Sequence, residues 1–484
     1  MSSSMLTINS LTVDEKCPDK LTVELLASLQ IVTKAFRDEQ LRFSAGVDAL
    51  GKLSKLLSKL SDEIQVYSDE NQDQQSAELC LQITAECFRA QRNSCVQCPC
   101  NQTILRDQGG IRVSLGILEK LLKLTSGTCE SLFDALRCGI QFLGNIAVGN
   151  QLCKADIWDH AFPHLFLDLL EFPDEKTVAY TCMVLHTCLD EDRTERLGTE
   201  PQHMKVVLKI IEMCRTLPNI DWTVLIVTEH FFRSSELIEK MYTAMNDQER
   251  LTLLDLLLAQ LGEGKEDSLI PLRTAQFLGS CFQHSCTAVL SLSCSSSDDN
   301  QKALAVITLL DILCEMTSDR QTFMALQDQP NLLQTTVELL KEVHLLGKSS
   351  KNVFSTAQEF TFTKPEGAST HPALGFKAHL IRLIGNLCHS HTSNQDQVRE
   401  LDGIALILDN CNIDSNNPFI SQWAVFALRN ILEHNLENQK LVQGLRRQGV
   451  ADDSVLREMG FCVVERDGSL LLRPLKKEEE PAER

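Results

Sequence analysis

The sequence predicts an all-α protein assembled from repeated helical units. Three observations point there: apolar residues recur at helical spacing along the chain, the gaps between such segments are short and polar, and one sentence of residues returns after 44 positions. Leu25, Leu29, Val32 and Phe36 mark one amphipathic face, and Leu136, Ile140, Leu143 and Ala147 mark another. Leu251, Leu254, Leu258 and Leu261 repeat the rhythm just after Asn246 and Glu249, whose spacing is that of a capping box.

Three interruptions are longer. The acidic, Gln-rich stretch 61–76, the Ser-rich stretch 291–300 and the stretch 347–372 are assigned to exposed loops. The chain then divides into a flexible N-terminus (1–18), helical repeats (19–346), a long loop (347–374), a C-terminal repeat domain (375–460), a hairpin (461–473) turning at Asp467 and Gly468, and a charged tail (474–484).

Composition sets limits on function. With 46 Lys and Arg against 66 Asp and Glu the net charge is −20, and no basic cluster is present to neutralise phosphates, so neither nucleic acid nor an anionic membrane is an expected partner. No apolar run approaches the ~18 residues of a membrane span, and the N-terminal residues carry no secretory pattern. The 19 Cys are scattered and odd in number, which suits reduced thiols in the cytoplasm.

The repeat is read from four copies. IRLIGNLC at 381–388 is followed by Asn394-Gln395 eight residues after Asn386, then by Gly403-Ile404. VFALRNIL at 425–432 leads to Asn438-Gln439, eight residues after Asn430, and more loosely to Gly449-Val450. FRAQRNSC at 88–95 leads to Asn101-Gln102 and Gly110-Ile111, while IQFLGNIA at 140–147 has a shorter return to Asn150-Gln151. The 44 residues between Asn386 and Asn430 fall within the ~40 to 47 of armadillo and HEAT units. In the segment Phe376 to Cys388, Leu380, Leu383 and Leu387 form one apolar stripe and Ile381, Ile384 and Cys388 a second, so this helix needs burial on two sides. Gly385 removes a side chain where a neighbouring helix can approach. The pattern resembles the armadillo repeat, and the expected architecture is a right-handed armadillo-like α-solenoid with a small C-terminal β-hairpin.

ECFRAQRNSCVQC (86–98), FLGNIA (142–147), FKAHLIRLIGNLC (376–388) and NQDQVRELDGIALILDNCNIDSNNPF (394–419) together resemble the ataxin-10 family of armadillo-repeat proteins, most strongly over 376–438. The resemblance implies a non-enzymatic scaffold that self-associates as a homo-oligomer and binds the G-protein β subunit and O-GlcNAc transferase. It implies roles in neuronal survival, in neurite outgrowth through Ras-MAP kinase signalling and in cytokinesis. It also implies a cytoplasmic and perinuclear location, with the midbody and the centrosome or basal body. A helical-repeat chaperone or exchange factor acting on a G protein is the alternative.

Candidate chemistry is sparse. Cys95, Cys98 and Cys100, with Cys87 before them, have part of a zinc spacing but no second ligand pair follows, so buried apolar thiols are the expectation. Cys388, His389 and His391 fall in a polar turn expected to be exposed. Gly262, Gly264 and Lys265 lack phosphate-loop spacing, and His230 and His379 lie on apolar faces as core histidines. No catalytic residue, metal or cofactor is assigned. Ser295 to Asp299 could accept phosphate or be a plain solvated loop. Asn93, Asn145, Asn386 and Asn430 either hold a ligand's backbone or tie up carbonyls at their own helix ends. The partner-binding candidates are Arg382, Asn386, Trp423, Arg429 and Asn430.

Overall fold

The computed structural model describes residues 21–67, 74–124, 129–262, 270–293, 300–318, 322–356, 371–412, 414–445, 461–466 and 469–474. Nearly all of these lie in helices, and the chain divides into two compact units, Met1–Gln260 with Glu266–Pro271, and Leu261–Lys265 with Leu272–Arg484.

In the first unit the helices are α1 (Val23–Ala35), α2 (Glu39–Phe43), α3 (Gly46–Tyr67), α4 (Gln74–Cys95), α5 (Pro99–Asp107), α6 (Gly110–Leu122), α7 (Glu130–Ala147), α8 (Gln151–Ala161), α9 (His164–Leu170), α10 (Glu175–Cys188), α11 (Glu191–Arg196), α12 (Pro201–Thr216), α13 (Asp221–Glu229), α14 (Ser235–Ala244) and α15 (Asp247–Gly262). The longer helices pack in a series, α1 on α4, α4 on α7, α7 on α10 and α10 on α13. Each middle member is therefore buried on two sides: Leu136, Ile140, Leu143 and Ala147 are all inside, as are Phe88 and Phe142, whose rings stack at 6.2 Å. Polar side chains start the helices. Thr22, Asp38, Asn150, Asp174, Asp190 and Ser234 each accept a hydrogen bond from a first-turn amide, and Asn246 and Glu249 exchange both bonds of the capping box at 2.9 and 3.0 Å.

The second unit holds α16 (Leu272–Ser285), a 3-10 helix (Cys286–Ser293), α17 (Asn300–Met316), a second 3-10 helix (Met324–Asp328), α18 (Leu332–Ser349), α19 (Phe376–Cys388), α20 (Thr392–Glu400), α21 (Gly403–Asp409), α22 (Ile420–Leu432) and α23 (Leu436–Gly444). Helix α19 lies against α17, α18 and α22, so both of its apolar stripes are covered and Leu380, Ile381, Leu383, Ile384, Leu387 and Cys388 are 0% exposed. A Cβ on Gly385 would sit 2.9 Å from Ala427 Cα, which shows why this position carries no side chain. Strands β1 (Phe461–Arg466) and β2 (Ser469–Pro474) pair antiparallel with Phe461 opposite Pro474; the turn at Asp467 and Gly468 lies outside the described residues.

Several expectations need correction. The stretch 61–76 is not one loop: 61–67 ends α3 and 74–76 begins α4. Asp62, Glu63 and Gln65 lie on the wet face of a helix whose other face, Leu53, Leu57, Leu60 and Ile64, is core, and 68–73 lie outside the described residues. In α15 the inward side chains are Leu253, Leu254 and Leu257, so the buried stripe is rotated from the expected one. Residues 291–293 close a 3-10 helix and 347–349 close α18; 294–299 and 357–370 lie outside the described residues. Nor does 347–374 separate two cores, because α17 and α18 form one side of the bed in which α19 is buried.

Two ion pairs, one half-buried and one buried, fix the packing. In the first unit Arg137 grips Asp174 with Nε at 2.9 Å and Nη2 at 2.7 Å, while Asp174 also caps α10. In the second, Lys377 Nζ lies 3.1 Å from Asp414 Oδ2, and both side chains are 3% exposed. The same 414–417 turn closes the start of α19, since Asn417 Oδ1 accepts from Lys377 N and Asn416 O accepts from Gly375 N.

Gly385→Ala is expected to lower the stability of the second unit by about 1 to 3 kcal/mol through overpacking against Ala427, measured as a shifted denaturant midpoint. Arg137, foremost by its hydrogen bonds, holds the Asp174 carboxyl well below the usual carboxylate range. The stabilisation is therefore complete above about pH 4 and declines as pH falls towards the depressed folded value. Asp174→Asn should be less stable than the parent at neutral pH, and the gap should narrow in acid when unfolding is followed by circular dichroism.

Candidate functional site

The recurrent asparagines sit two residues before the ends of their helices, where the last four carbonyls have no partner within the helix. Their amide N–H groups do not close their own helix but are committed to a neighbouring one. Asn93 Nδ2 donates to Thr33 O (3.1 Å), Asn145 to Arg92 O (3.1 Å), Asn386 to Cys314 O (3.2 Å) and Asn430 to Gly385 O (2.8 Å). Every acceptor belongs to the final four carbonyls of the helix packed alongside, α1, α4, α17 and α19 respectively. The own-helix reading offered from sequence is thus replaced by a bond between units.

The Asn-Gln pairs extend this arrangement. Asn101, Asn394 and Asn438 each donate to a carbonyl seven residues back, Ser94, Leu387 and Ile431, and to one further upstream, Arg42, Gln327 and Gln395. The glutamines reach the other way: Gln102 Nε2 donates to Asn145 O and Val148 O at 2.9 Å, and Gln395 to Asn430 O at 2.9 Å. Four residues after each helix-end Asn the chain turns through positive φ, at Gln97, Gly149, Ser390 and His434.

One further copy escaped the sequence. Gln327, in the second 3-10 helix, donates to Asn386 O, Leu387 O and His389 O, the part that Gln395 plays for the next helix. The helix before it, α17, ends at Met316 and carries Glu315 where the other copies have the asparagine, one residue after the acceptor Cys314. Glu315 stands twelve residues before Gln327, against nine between Asn386 and Gln395, so neither the residue type nor the spacing marked this copy in the sequence.

Beside this copy the second unit has a groove of about 360 Å³ whose walls include Phe323, Met324, Gln327, Asn386, Trp423 and Phe426. Trp423 meets Phe426 edge-on at 5.7 Å. The Arg382 guanidinium lies 4.9 Å from the centre of the Trp423 ring and is held there by Glu315 Oε1 (2.8 Å) and Ser318 Oγ (2.9 Å). Arg382, Asn386 and Trp423 are therefore brought together. Asn430 is buried beneath, and Arg429 is on the exposed side of α22 with Gln422 and Val425.

The other candidates disperse. Cys87, Cys95 and Cys98 are fully buried while Cys100 is exposed, and burial pushes the Cys87 and Cys95 thiols up, away from the thiolate that a metal needs. Cys388 is buried rather than exposed, and His391 caps α20 while pairing with Asp328 at 3.0 Å. His379 meets Asp311 at 2.5 Å. Burial, aided by His186, lowers His230 to about 4, so it is neutral at physiological pH. Among the described residues no group of three His, Cys, Asp or Glu could hold a metal, and no helix is long and apolar enough to cross a membrane. Gly264, Lys265 and Ser295 to Asp299 lie outside the described residues.

These features define a largely helical protein whose similar units are held together by side-chain amides. Residues 376–473 match the model of the spinocerebellar ataxia type 10 protein domain. Ataxin-10 of Xenopus tropicalis is 42% identical over 457 residues, 92% of this chain and 91% of that protein, and human ataxin-10 is 39% identical over 465 residues, 95% and 96%. The ataxin-10 homolog of Dictyostelium discoideum is 45% identical over 106 residues, 22% of this chain and 17% of that protein. The chain belongs to the ataxin-10 family.

Asn430→Ala leaves the buried Gly385 carbonyl without its donor and should cost about 1 to 3 kcal/mol by chemical denaturation. Arg429→Ala, on an exposed face, should stay within about 0.5 kcal/mol of the parent in the same measurement.

Proposed function

We propose that this chain is a non-enzymatic scaffold, an armadillo-type right-handed α-solenoid that self-associates and holds protein partners. The observation that carries this reading is the outer face of α22. Along α19 the equivalent face is covered by α22: Ile381 is 0% exposed and Gly385 touches Ala427. Forty-four residues on, Val425 and Arg429 occupy those positions and are exposed, and Phe419 (70% exposed) and Leu436 (69%) lie close in the chain. A face that α19 buries is thus left open on α22 among the described residues. The matched domain model, whose short name refers to homo-association, covers this region.

A second copy of the chain is the proposed occupant of that face, which leaves the groove beside Trp423 for other proteins. Within the family reading those partners are the G-protein β subunit and O-GlcNAc transferase, and the setting is cytoplasmic and perinuclear, with the midbody and the centrosome or basal body. Neuronal survival, neurite outgrowth through Ras-MAP kinase signalling and cytokinesis are the proposed processes.

Ending the chain at residue 346 is a poor test, because it removes α19 and bares the faces of α17 and α18 that α19 covers. A point change is better. Val425→Glu on the full-length protein should lower the mass found by light scattering towards that of a monomer while the helical circular dichroism signal is kept. An unchanged oligomer, or a parent that is already monomeric, would discard the face as the self-association site.

A further inference from the structure

We propose that the part of a second copy that occupies the open face of α22 is its C-terminal hairpin, 461–474; this rests on the reading of that face as the self-association site. Succession along the chain points to it. Helix α22 follows α19 by 44 residues, α23 follows α20 by the same step, and α22 covers the outer face of α19. One more step of 44 from α22 (Ile420–Leu432) gives 464–476, a stretch that overlaps β1 and β2. The hairpin thus holds the place of the element that covers this face in the unit before. The family model matched over 376–473 takes in α19, α22 and all but the last residue of the hairpin.

Hairpin and face are complementary. Strand pairing puts Phe461, Val463, Leu470, Leu472 and Pro474 on one side of the hairpin with a single charge, Glu465. The other side holds Cys462, Val464, Arg466, Ser469, Leu471 and Arg473, of which Arg473 is exposed. A two-stranded hairpin is marginal in water until an apolar side is covered. On α22 the exposed stripe is Gln422, Val425 and Arg429, flanked by Phe419 and Leu436. Val425 offers apolar surface to the first side, and Arg429, which pairs with no carboxylate among the described residues, offers the opposite charge to Glu465. The chain's own hairpin does not cover this face, since Val425 stays 65% exposed in the chain that carries both. Residues 446–460 can span at most about 50 Å, enough to carry the hairpin to another copy. Two copies that exchange hairpins make the same contact twice and close on each other.

The test is sedimentation velocity on the full-length protein carrying Arg429→Glu, Glu465→Arg, or both. Each single change opposes like charges and should weaken association about tenfold, while the double variant recovers. An equimolar mixture of the two single variants should recover as well, because each hairpin then meets an opposite charge on its partner. Arg473→Glu, on the other side of the hairpin, should associate like the parent; weakening equal to that of Glu465→Arg would overturn the assignment of sides. Association of Glu465→Arg equal to the parent's would overturn the hairpin as occupant, and the face itself then stands or falls with Val425→Glu. Single variants that associate more tightly than the parent would make the hairpin a cap on its own chain. That result, or a mixture no tighter than its components, would overturn the exchange.

Discussion

A helix that ends inside a protein leaves four carbonyls to be satisfied, and in this chain the solution to that problem organises everything else. The donors are amide side chains of neighbouring units. Helix-end asparagines reach back one unit, the asparagine of each Asn-Gln pair bridges its own helix to the unit before, and the glutamine reaches forward. Each such bond contributes only about 0.5 to 1.5 kcal/mol, but its loss strands a buried carbonyl, and the geometry fixes the register between successive helices. Close helix approach at Gly385 and two-sided burial of α19 follow from that register.

Much of this was legible in the sequence. The bounds of α19, the capping box at Asn246 and Glu249 and the small residue at Gly385 were all read correctly, because each is written in local spacing. What escaped depended on contacts between units. The amide of Asn430 could not be assigned to Gly385 O without knowing where the preceding helix lies, and Lys377 with Asp414 gives no local hint of a buried pair, being 37 residues apart. The end of α3 (61–67) and the start of α4 (74–76) were mistaken for loop, since acidic and Gln-rich residues resemble solvent-exposed chain whether or not a helix underlies them.

The candidate site was partly legible for the same reason. Trp423 and Arg382 were singled out by residue type, and the structure stacks one on the other. Asn386 was singled out for its amide N–H groups, yet those are committed inward and its oxygen is what remains. The groove's character thus depends partly on bonds that serve the fold. Arg429, by contrast, belongs to the open face of α22, a different surface with different chemistry.

The last unit handles its amides differently. Gln395 donates forward to Asn430 O at 2.9 Å and back to Cys388 O at 3.3 Å, whereas among the described residues Gln439 keeps only the backward bond, at 2.8 Å to Leu432 O. The side chain there seals the end of its own unit. A second molecule arriving at this face would meet Gln422, Val425 and Arg429 and no forward-reaching glutamine. Docking here would rest on surface contact and end a stack instead of seeding another unit, which favours closed assemblies over open-ended fibres.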